Sequence, residues 1–337
     1  MKKILLSALV IVFALAAAIV FNTLRFTSKQ IKAEAQTVTS FDEPALAERF
    51  AGAIRFATIS HQDSSQTDAA AFAGLQRYCE QNFPRLHAGL TREVFDEYGL
   101  LFTWLGANKN LKPILLASHM DVVPIEAATA AQWTHPPFAG VIAEGFIWGR
   151  GTLDDKAGVL GILEAVKSLL AAGFQPQRTI YLAFGHDEEI GGRRGAAQIA
   201  ARLQSRGVEL EYVLDEGGAL VTGVTPGIAA PVAFVGIAEK GYVSLELQVA
   251  GEGGHSSMPP MHTAIGVLSS AIQRLESHPM SASLSGPTAK MFEYLGPEMS
   301  FGMRAVFANL WLFQPLVERQ LAAAPTTNAA IRTTTAV

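Results

Sequence analysis

The chain has 337 residues, 49% of them hydrophobic and 17% charged, a composition that excludes a disordered chain and suits one large or two smaller globular domains. A net charge of -4 gives no electrostatic reason to expect nucleic acid as a partner. The one cysteine, Cys79, rules out an internal disulfide and a cysteine-built zinc site, so any metal chemistry must use His, Asp and Glu.

Lys2 and Lys3 precede an apolar stretch from Ile4 to Phe21 that only Ser7 interrupts. That length approaches the ~20 residues a helix needs to cross a bilayer and exceeds most signal-peptide cores. An Ala-x-Ala pattern at Ala33–Ala35 lies too far downstream for an ordinary cleavage site. Residues 1–22 are therefore read as a transmembrane signal anchor, with a cleaved signal peptide as the alternative. Lys2 and Lys3 then stay in the cytoplasm, although Arg25, Lys29 and Lys32 weaken the charge asymmetry. Both readings place the globular part outside the cytoplasm, in a periplasmic or extracellular space. Residues 23–42 are polar and aperiodic, as a linker would be.

From Pro44 onward helices and strands alternate. Apolar residues at three- and four-residue spacing predict helices over Pro44–Phe56 and Ala69–Phe83. Leu90–Phe95 and Leu100–Leu105 are expected to pair as strands, and Pro113–Ser118 has the uniform apolarity of a buried central strand. A helix over Val159–Ala172 ends at Gly173, followed by the strand Thr179–Phe184, a helix over Arg193–Ser205 and the strand Glu211–Leu214. This order predicts an α/β layer structure with a mainly parallel sheet. After about Ala238 the texture changes to an amphipathic strand over Gly241–Ala250, a Gly/Pro-rich loop and a helix over Thr263–Ser277, the opening of a second, α+β domain.

The chemistry-bearing residues follow strand ends, where open α/β sheets leave a crevice. His119 and Asp121 follow the first buried strand, His186–Glu189 the second, and Asp215–Glu216 the third. In Ser118-His119-Met120-Asp121 the two polar side chains face the same way in extended backbone, so Asp121 can hold the second nitrogen of a ligating His119; a chance surface pair has the same pattern. Asp154 and Asp155 follow the glycine-rich Trp148–Gly151 approach and precede a helix, which fits either a metal ligand or a helix cap. Adjacent Glu188 and Glu189 suit a division between a proton-handling acid and a metal ligand, although a solvated charge run is the common cause of such a pattern. One histidine and several carboxylates on four loops suit zinc, with carboxylates able to bridge two ions.

The set SHMDVVP, WGRGTLDDK, GHDEEIGG, LDEGG and GGHSSMPP resembles metallopeptidase family 20, which includes aminoacylases and carboxypeptidases, and within it the carboxypeptidase S and N-fatty-acyl-amino-acid hydrolase branch. The resemblance runs from about Glu43 to the last residue. It implies a zinc-exopeptidase-like mixed sheet with flanking helices over residues 43–238, then the first part of an inserted α+β lid domain over 239–337. It further implies two zinc ions, with a water between them cleaving the amide bond of a small peptide or an N-acyl amino acid. His119 would bind one zinc with Asp121 orienting its ring, Asp154 would bridge both, and Asp215, with Glu216 as runner-up, would complete the His119 zinc. Glu189 would bind the other ion, Glu188 would be the general base, and His255 would stabilise the oxyanion. In dimeric relatives that histidine arrives from the partner subunit, which implies a homodimer through the lid. The peptide after the bridging carboxylate is expected to be cis.

The resemblance also implies a returning segment with a final histidine ligand, yet no histidine occurs after His278. Thr333–Val337 resembles a lid strand left as an unpaired edge. The chain is thus expected to be the N-terminal part of a membrane-anchored amidohydrolase, or else a non-catalytic remnant that binds metal or a partner.

Overall fold

The computed structural model describes residues 2–34 and 41–337; of the expected linker, residues 35–40, with Ala35 of the Ala-x-Ala pattern, lie outside the described residues. The N-terminal apolar run forms one helix, α1 (Lys2–Arg25), which ends three residues beyond the anchor read from sequence; its most apolar 18 residues have a mean hydropathy of 3.1 and none is buried. The chain divides into two compact units, one within Ala35–Glu216 and one combining the N-terminal residues to Glu34 with Gly217–Val337.

The Ala35–Glu216 unit begins with α2 (Glu43–Ile54), α3 (Ala69–Asn82) and α4 (Pro84–Gly89). Asp42 caps α2 through the Ala45 N–H, and Asp68 caps α3 through the Ala70 and Ala71 N–H groups, each satisfying donors that a helix start leaves unpaired. Strands β1 (Thr91–Phe95), β2 (Gly99–Trp104) and β3 (Ile114–His119) come next, followed by a small hairpin of β4 (Val141–Ala143) and β5 (Phe146–Trp148). Helix α5 (Lys156–Ala171), β6 (Ile180–Gly185), α6 (Ala196–Ser205) and β7 (Val213–Leu214) complete the unit. The main sheet has the order β1-β2-β6-β3-β7. It is mixed rather than mainly parallel: β1–β2 and β2–β6 are antiparallel, and only β6–β3 and β3–β7 are parallel.

Alternation along the strands builds a layer on each face. Leu100, Phe102, Trp104, Leu182 and Phe184 pack with Leu75, Cys79, Leu86 and Leu163 of α3, α4 and α5, while Leu101 and Ala183 meet Ile199 and Leu203 of α6 on the opposite face. Cys79 is buried in the first layer, and burial pushes its thiol up to about 12, so it is an inert core residue. Two boundaries differ from the sequence expectation for a common reason. Helix α6 starts at Ala196 instead of Arg193 because the Asp187 carboxylate takes the Arg194 and Gly195 N–H groups and holds 187–195 as a turn. Helix α5 starts at Lys156 instead of Val159 because Asp155 caps it through the Gly158 N–H.

The other unit contains, besides α1, the hairpin β8 (Ala219–Val221) and β9 (Val232–Phe234), then α7 (Ala264–Ser277) capped by the Thr263 hydroxyl. Gly241–Ala250 forms no strand, contrary to its alternating pattern, and its residues are almost all exposed. Alternation needs a neighbouring strand to complete its ladder, and none pairs with it among the described residues. Thr333–Val337 likewise forms no strand edge. Before it lie four helices not anticipated from sequence, α8 (Gly286–Leu295), α9 (Phe301–Ala308), α10 (Leu310–Leu321) and α11 (Pro325–Ile331). They share a core of Leu284, Phe292, Leu295, Met299, Phe307, Val317 and Ile331, with the Phe292 and Phe307 rings stacked at 4.4 Å. The last turns of α1 dock on this cluster around fully buried Asn309.

Candidate active site

Strand geometry brings the site together. In the parallel β3–β6 pair His119 lies opposite Gly185, so the loop beginning at His186 leaves the sheet beside His119. Strand β7 runs parallel on the other side of β3, with Leu115 opposite Val213 and Leu116 opposite Leu214, so Asp215 and Glu216 emerge at the same edge. Three carboxyl-terminal strand ends thus deliver their polar residues to one place.

His119 is the hub and is almost fully buried. Its Nδ1 donates to the Asp121 carbonyl oxygen at 3.0 Å and carboxylate at 3.2 Å, and its Nε2 lies 2.9 Å from Asp154 Oδ1. Glu216 Oε1 and Glu188 Oε2 lie 3.6 Å and 3.8 Å from the same Nε2. Ligand atoms of His119, Asp154 and Glu216 all fall within 4.8 Å of one another, a group able to hold a metal ion. Burial opposes a charged His119, but the Asp121 hydrogen bond and the surrounding carboxylates outweigh it and raise the imidazole to about 10.

Asp121 has no solvent exposure and is surrounded by donors. Ser60 donates its hydroxyl at 2.6 Å, and the backbone N–H groups of Glu188 and Glu189 each donate at 3.1 Å. Burial alone would raise its pKa, but these bonds and His119 lower it, so Asp121 stays a carboxylate. The adjacent aspartates separate by role. Asp155 is buried, takes the Ser118 hydroxyl and caps α5, whereas Asp154 turns its two-thirds-exposed side chain toward His119. The Asp154–Asp155 peptide is cis, as the resemblance implies. Gly158 has to be small here, since an added Cβ would meet the Asp155 carboxylate oxygens at 2.6 Å.

The remaining acids are crowded. Burial raises the Glu216 carboxyl to about 7, with Asp155, Asp154 and Glu188 adding repulsion that His119 only partly offsets. Burial likewise raises Glu189, followed by the charge of Asp154.

Among the residues singled out from sequence, the structure groups His119 and Asp154 with Glu216, not with Asp215. Asp215 is exposed and its Oδ1 accepts the N–H of Glu216. His255 belongs to the other unit, where it is exposed and its Nδ1 accepts from the Ser257 N–H and meets the Ser257 hydroxyl at 2.8 Å. His186 is buried edge-on to Phe72 and Tyr98, with Nε2 3.4 Å from Asp96 Oδ2, and is not in the metal group. Ser60 escaped the sequence analysis because a lone serine 61 residues before Asp121 carries no local signal.

The chain matches the model of peptidase family M20/M25/M40 over residues 115–309, more than half its length. It is 45% identical over 329 residues to the probable carboxypeptidase S-like 2 of Dictyostelium discoideum, covering 95% of this chain and 63% of that protein. It is 45% identical over 295 residues to the N-fatty-acyl-amino acid synthase/hydrolase PM20D1 of Xenopus tropicalis, covering 87% of this chain and 57% of that protein. Carboxypeptidase S of Saccharomyces cerevisiae is 40% identical over 243 residues, covering 69% of this chain and 41% of that protein. The chain therefore spans about three-fifths of the length of the first two relatives. By the family match, and by the strand-end site that the matched residues build, the chain belongs to peptidase family M20/M25/M40.

Proposed function

We propose that this site serves zinc-dependent hydrolysis of an amide bond, either in an N-acyl amino acid or at the C-terminus of a small peptide. The supporting observation is the group of His119, Asp154 and Glu216 with the Glu188 carboxylate beside the same imidazole nitrogen. The donors fit zinc: one imidazole oriented by a buried carboxylate, ringed by acids whose raised pKa values report a local shortage of positive charge. His119, Asp154 and Glu216 would hold one ion, with Glu216 in the place sequence gave to Asp215, and Asp154 and Glu189 would face a second. Bound zinc supplies Lewis acidity, polarising a carbonyl and acidifying water. Asp121 keeps Nδ1 of His119 occupied, which would leave Nε2 to hold the metal, and its grip on two backbone N–H groups positions Glu188 and Glu189. Glu188, half-exposed and 3.8 Å from His119 Nε2, would accept a proton from water and pass it to the departing amine. The relatives' names, carboxypeptidase S and N-fatty-acyl-amino acid synthase/hydrolase, support both substrate classes. The role of His255 in the oxyanion rests on the resemblance alone.

The test is a pair of substitutions assayed with N-acyl amino acids and by metal analysis. Glu188→Gln is expected to lower turnover by about 10²–10⁴-fold at unchanged zinc content, and Glu189→Gln to lower zinc content as well. Equal loss of metal in both would remove Glu188 as the base.

We further propose that α1 is an uncleaved signal anchor that leaves the site outside the cytoplasm. Its length, hydropathy and exposure support this, as do its last turns, which pack into the folded unit instead of ending free. Intact-mass measurement of the protein recovered from membranes should find residues 1–25 retained.

A further inference from the structure

We propose that the face of α10 carrying Trp311, Leu312 and Leu316 lies in the headgroup layer of the bilayer that α1 enters. This rests on the anchor reading of α1 and adds a second, interfacial contact to it.

The two ends of α1 differ. From Ile4 to Val20 its large apolar side chains are mostly exposed, whereas Thr23 is fully buried. The burial comes from a polar junction built on Asn309. Its Nδ2 donates to the Ile19 carbonyl at 3.2 Å and to the Ala305 carbonyl at 2.9 Å, and its Oδ1 accepts from Asn22 Nδ2 at 2.9 Å. A fully buried amide needs such partners, so the junction fixes the height of α1 against α9 and α10.

Trp311 shares that junction. Its Nε1 donates to the same Asn309 Oδ1 at 3.2 Å, which sets the indole beside Asn22, one residue past the end of the Ile4–Phe21 run. At 1.5 Å per residue that run is about 27 Å long, close to the ~30 Å hydrocarbon core of a bilayer. The bilayer boundary therefore falls at the level of Trp311. The indole is 61% exposed although its N–H is satisfied, an apolar body with a fixed polar edge, as in the aromatic belts of membrane proteins.

Leu312 and Leu316 are four residues apart and continue the same helix face, with Leu316 also 61% exposed and exposed Arg319 one turn further for lipid phosphate. The opposite side of α10 is occupied, since Val317 is buried in the helical core. The bilayer is the occupant of the exposed face because the helix that enters it is hydrogen-bonded to the residue that holds Trp311.

The test uses the full chain in phosphatidylcholine–phosphatidylglycerol vesicles with brominated acyl chains, comparing wild type with Trp311→Phe and Leu312→Asp/Leu316→Asp. Resistance to alkaline extraction reports insertion of α1, and Trp fluorescence reports α10. The expected result is insertion of all three proteins, with wild-type emission quenched more by shallow than by deep bromines. That component should be lost in Trp311→Phe and strongly reduced in the double variant. Insertion of α1 without a Trp311-dependent quenched component would overturn the interfacial placement while leaving the anchor intact; crosslinking of the Trp311→Cys variant through its new thiol to a soluble protein or to a second copy would do the same. Extraction of the wild type at alkaline pH would overturn the anchor reading, and the interfacial contact with it.

Discussion

The carboxylate of Asp121 holds the backbone of Glu188, its Oδ1 accepting that N–H at 3.1 Å. The same buried group takes the Glu189 N–H and the Ser60 hydroxyl on Oδ2 and faces His119 Nδ1 at 3.2 Å. One side chain thus fixes both the His119 imidazole and the acids opposite it. Asp121→Asn retains the shape but replaces one acceptor oxygen by a donor, which must oppose an N–H or the Ser60 hydroxyl. We expect zinc affinity of the chain to fall by about 10–100-fold, read by competition with a zinc chelator. An unchanged affinity would leave Asp121 a purely structural residue.

Glu216 and Asp215 are separable by substitution. Only Glu216 lies in the group with His119 and Asp154, while Asp215 accepts its neighbour's N–H at an exposed position. Glu216→Gln should lower bound zinc markedly, and Asp215→Asn should leave it within about twofold, the change expected of an exposed group outside the ligand set. Metal analysis after gel filtration of both variants decides between them. The reverse order would restore Asp215 as the ligand.

The crowded acids imply a pH dependence of stability with a definite sign. The Glu216 carboxyl sits at about 7 in the folded chain against an ordinary 4.5, so the folded state holds this proton more tightly than the unfolded state. Its contribution to stability is complete below 4.5 and is lost as the pH rises through about 7. Without metal, the melting temperature should fall over that window, and Glu216→Gln should flatten the fall. If zinc binds this carboxylate as proposed, saturating zinc should suppress the fall as well. A wild-type and Glu216→Gln pair with parallel melting curves against pH would contradict the assignment.

Arg49 of α2 meets Glu164 of α5 with two hydrogen bonds, the Nη2–Oε2 bond at 2.9 Å, and both side chains are largely shielded from water. Arg49→Met leaves Glu164 buried with Lys167 as its remaining cation at 3.4 Å. The expected loss is about 2–3 kcal/mol in urea unfolding, mainly the cost of a poorly compensated buried carboxylate. Adding Glu164→Leu should recover most of it, because no unpaired charge then remains.

Much of this protein is legible in its sequence because the determining signals are local. The strands before His119 and His186 announce themselves as short apolar runs, and the apolar run of α1 needs only neighbouring residues to be recognised. The donor types at the strand ends are equally visible. The tertiary structure decided what local pattern cannot. Asp215 and Glu216 are adjacent acids after the same short strand, and which of them faces His119 depends on the register of β7 on β3, a pairing between residues about a hundred positions apart. Likewise Asp154 and Asp155 are interchangeable in sequence until α5 takes Asp155 as its cap and leaves Asp154 to His119. The alternating Gly241–Ala250 segment reads as a strand, yet a strand is a property of two segments and no second one pairs with it among the described residues. The docking of Asn22 on Asn309, 287 positions away, has no local trace at all, since a buried amide is recognisable only once its partners have been brought to it.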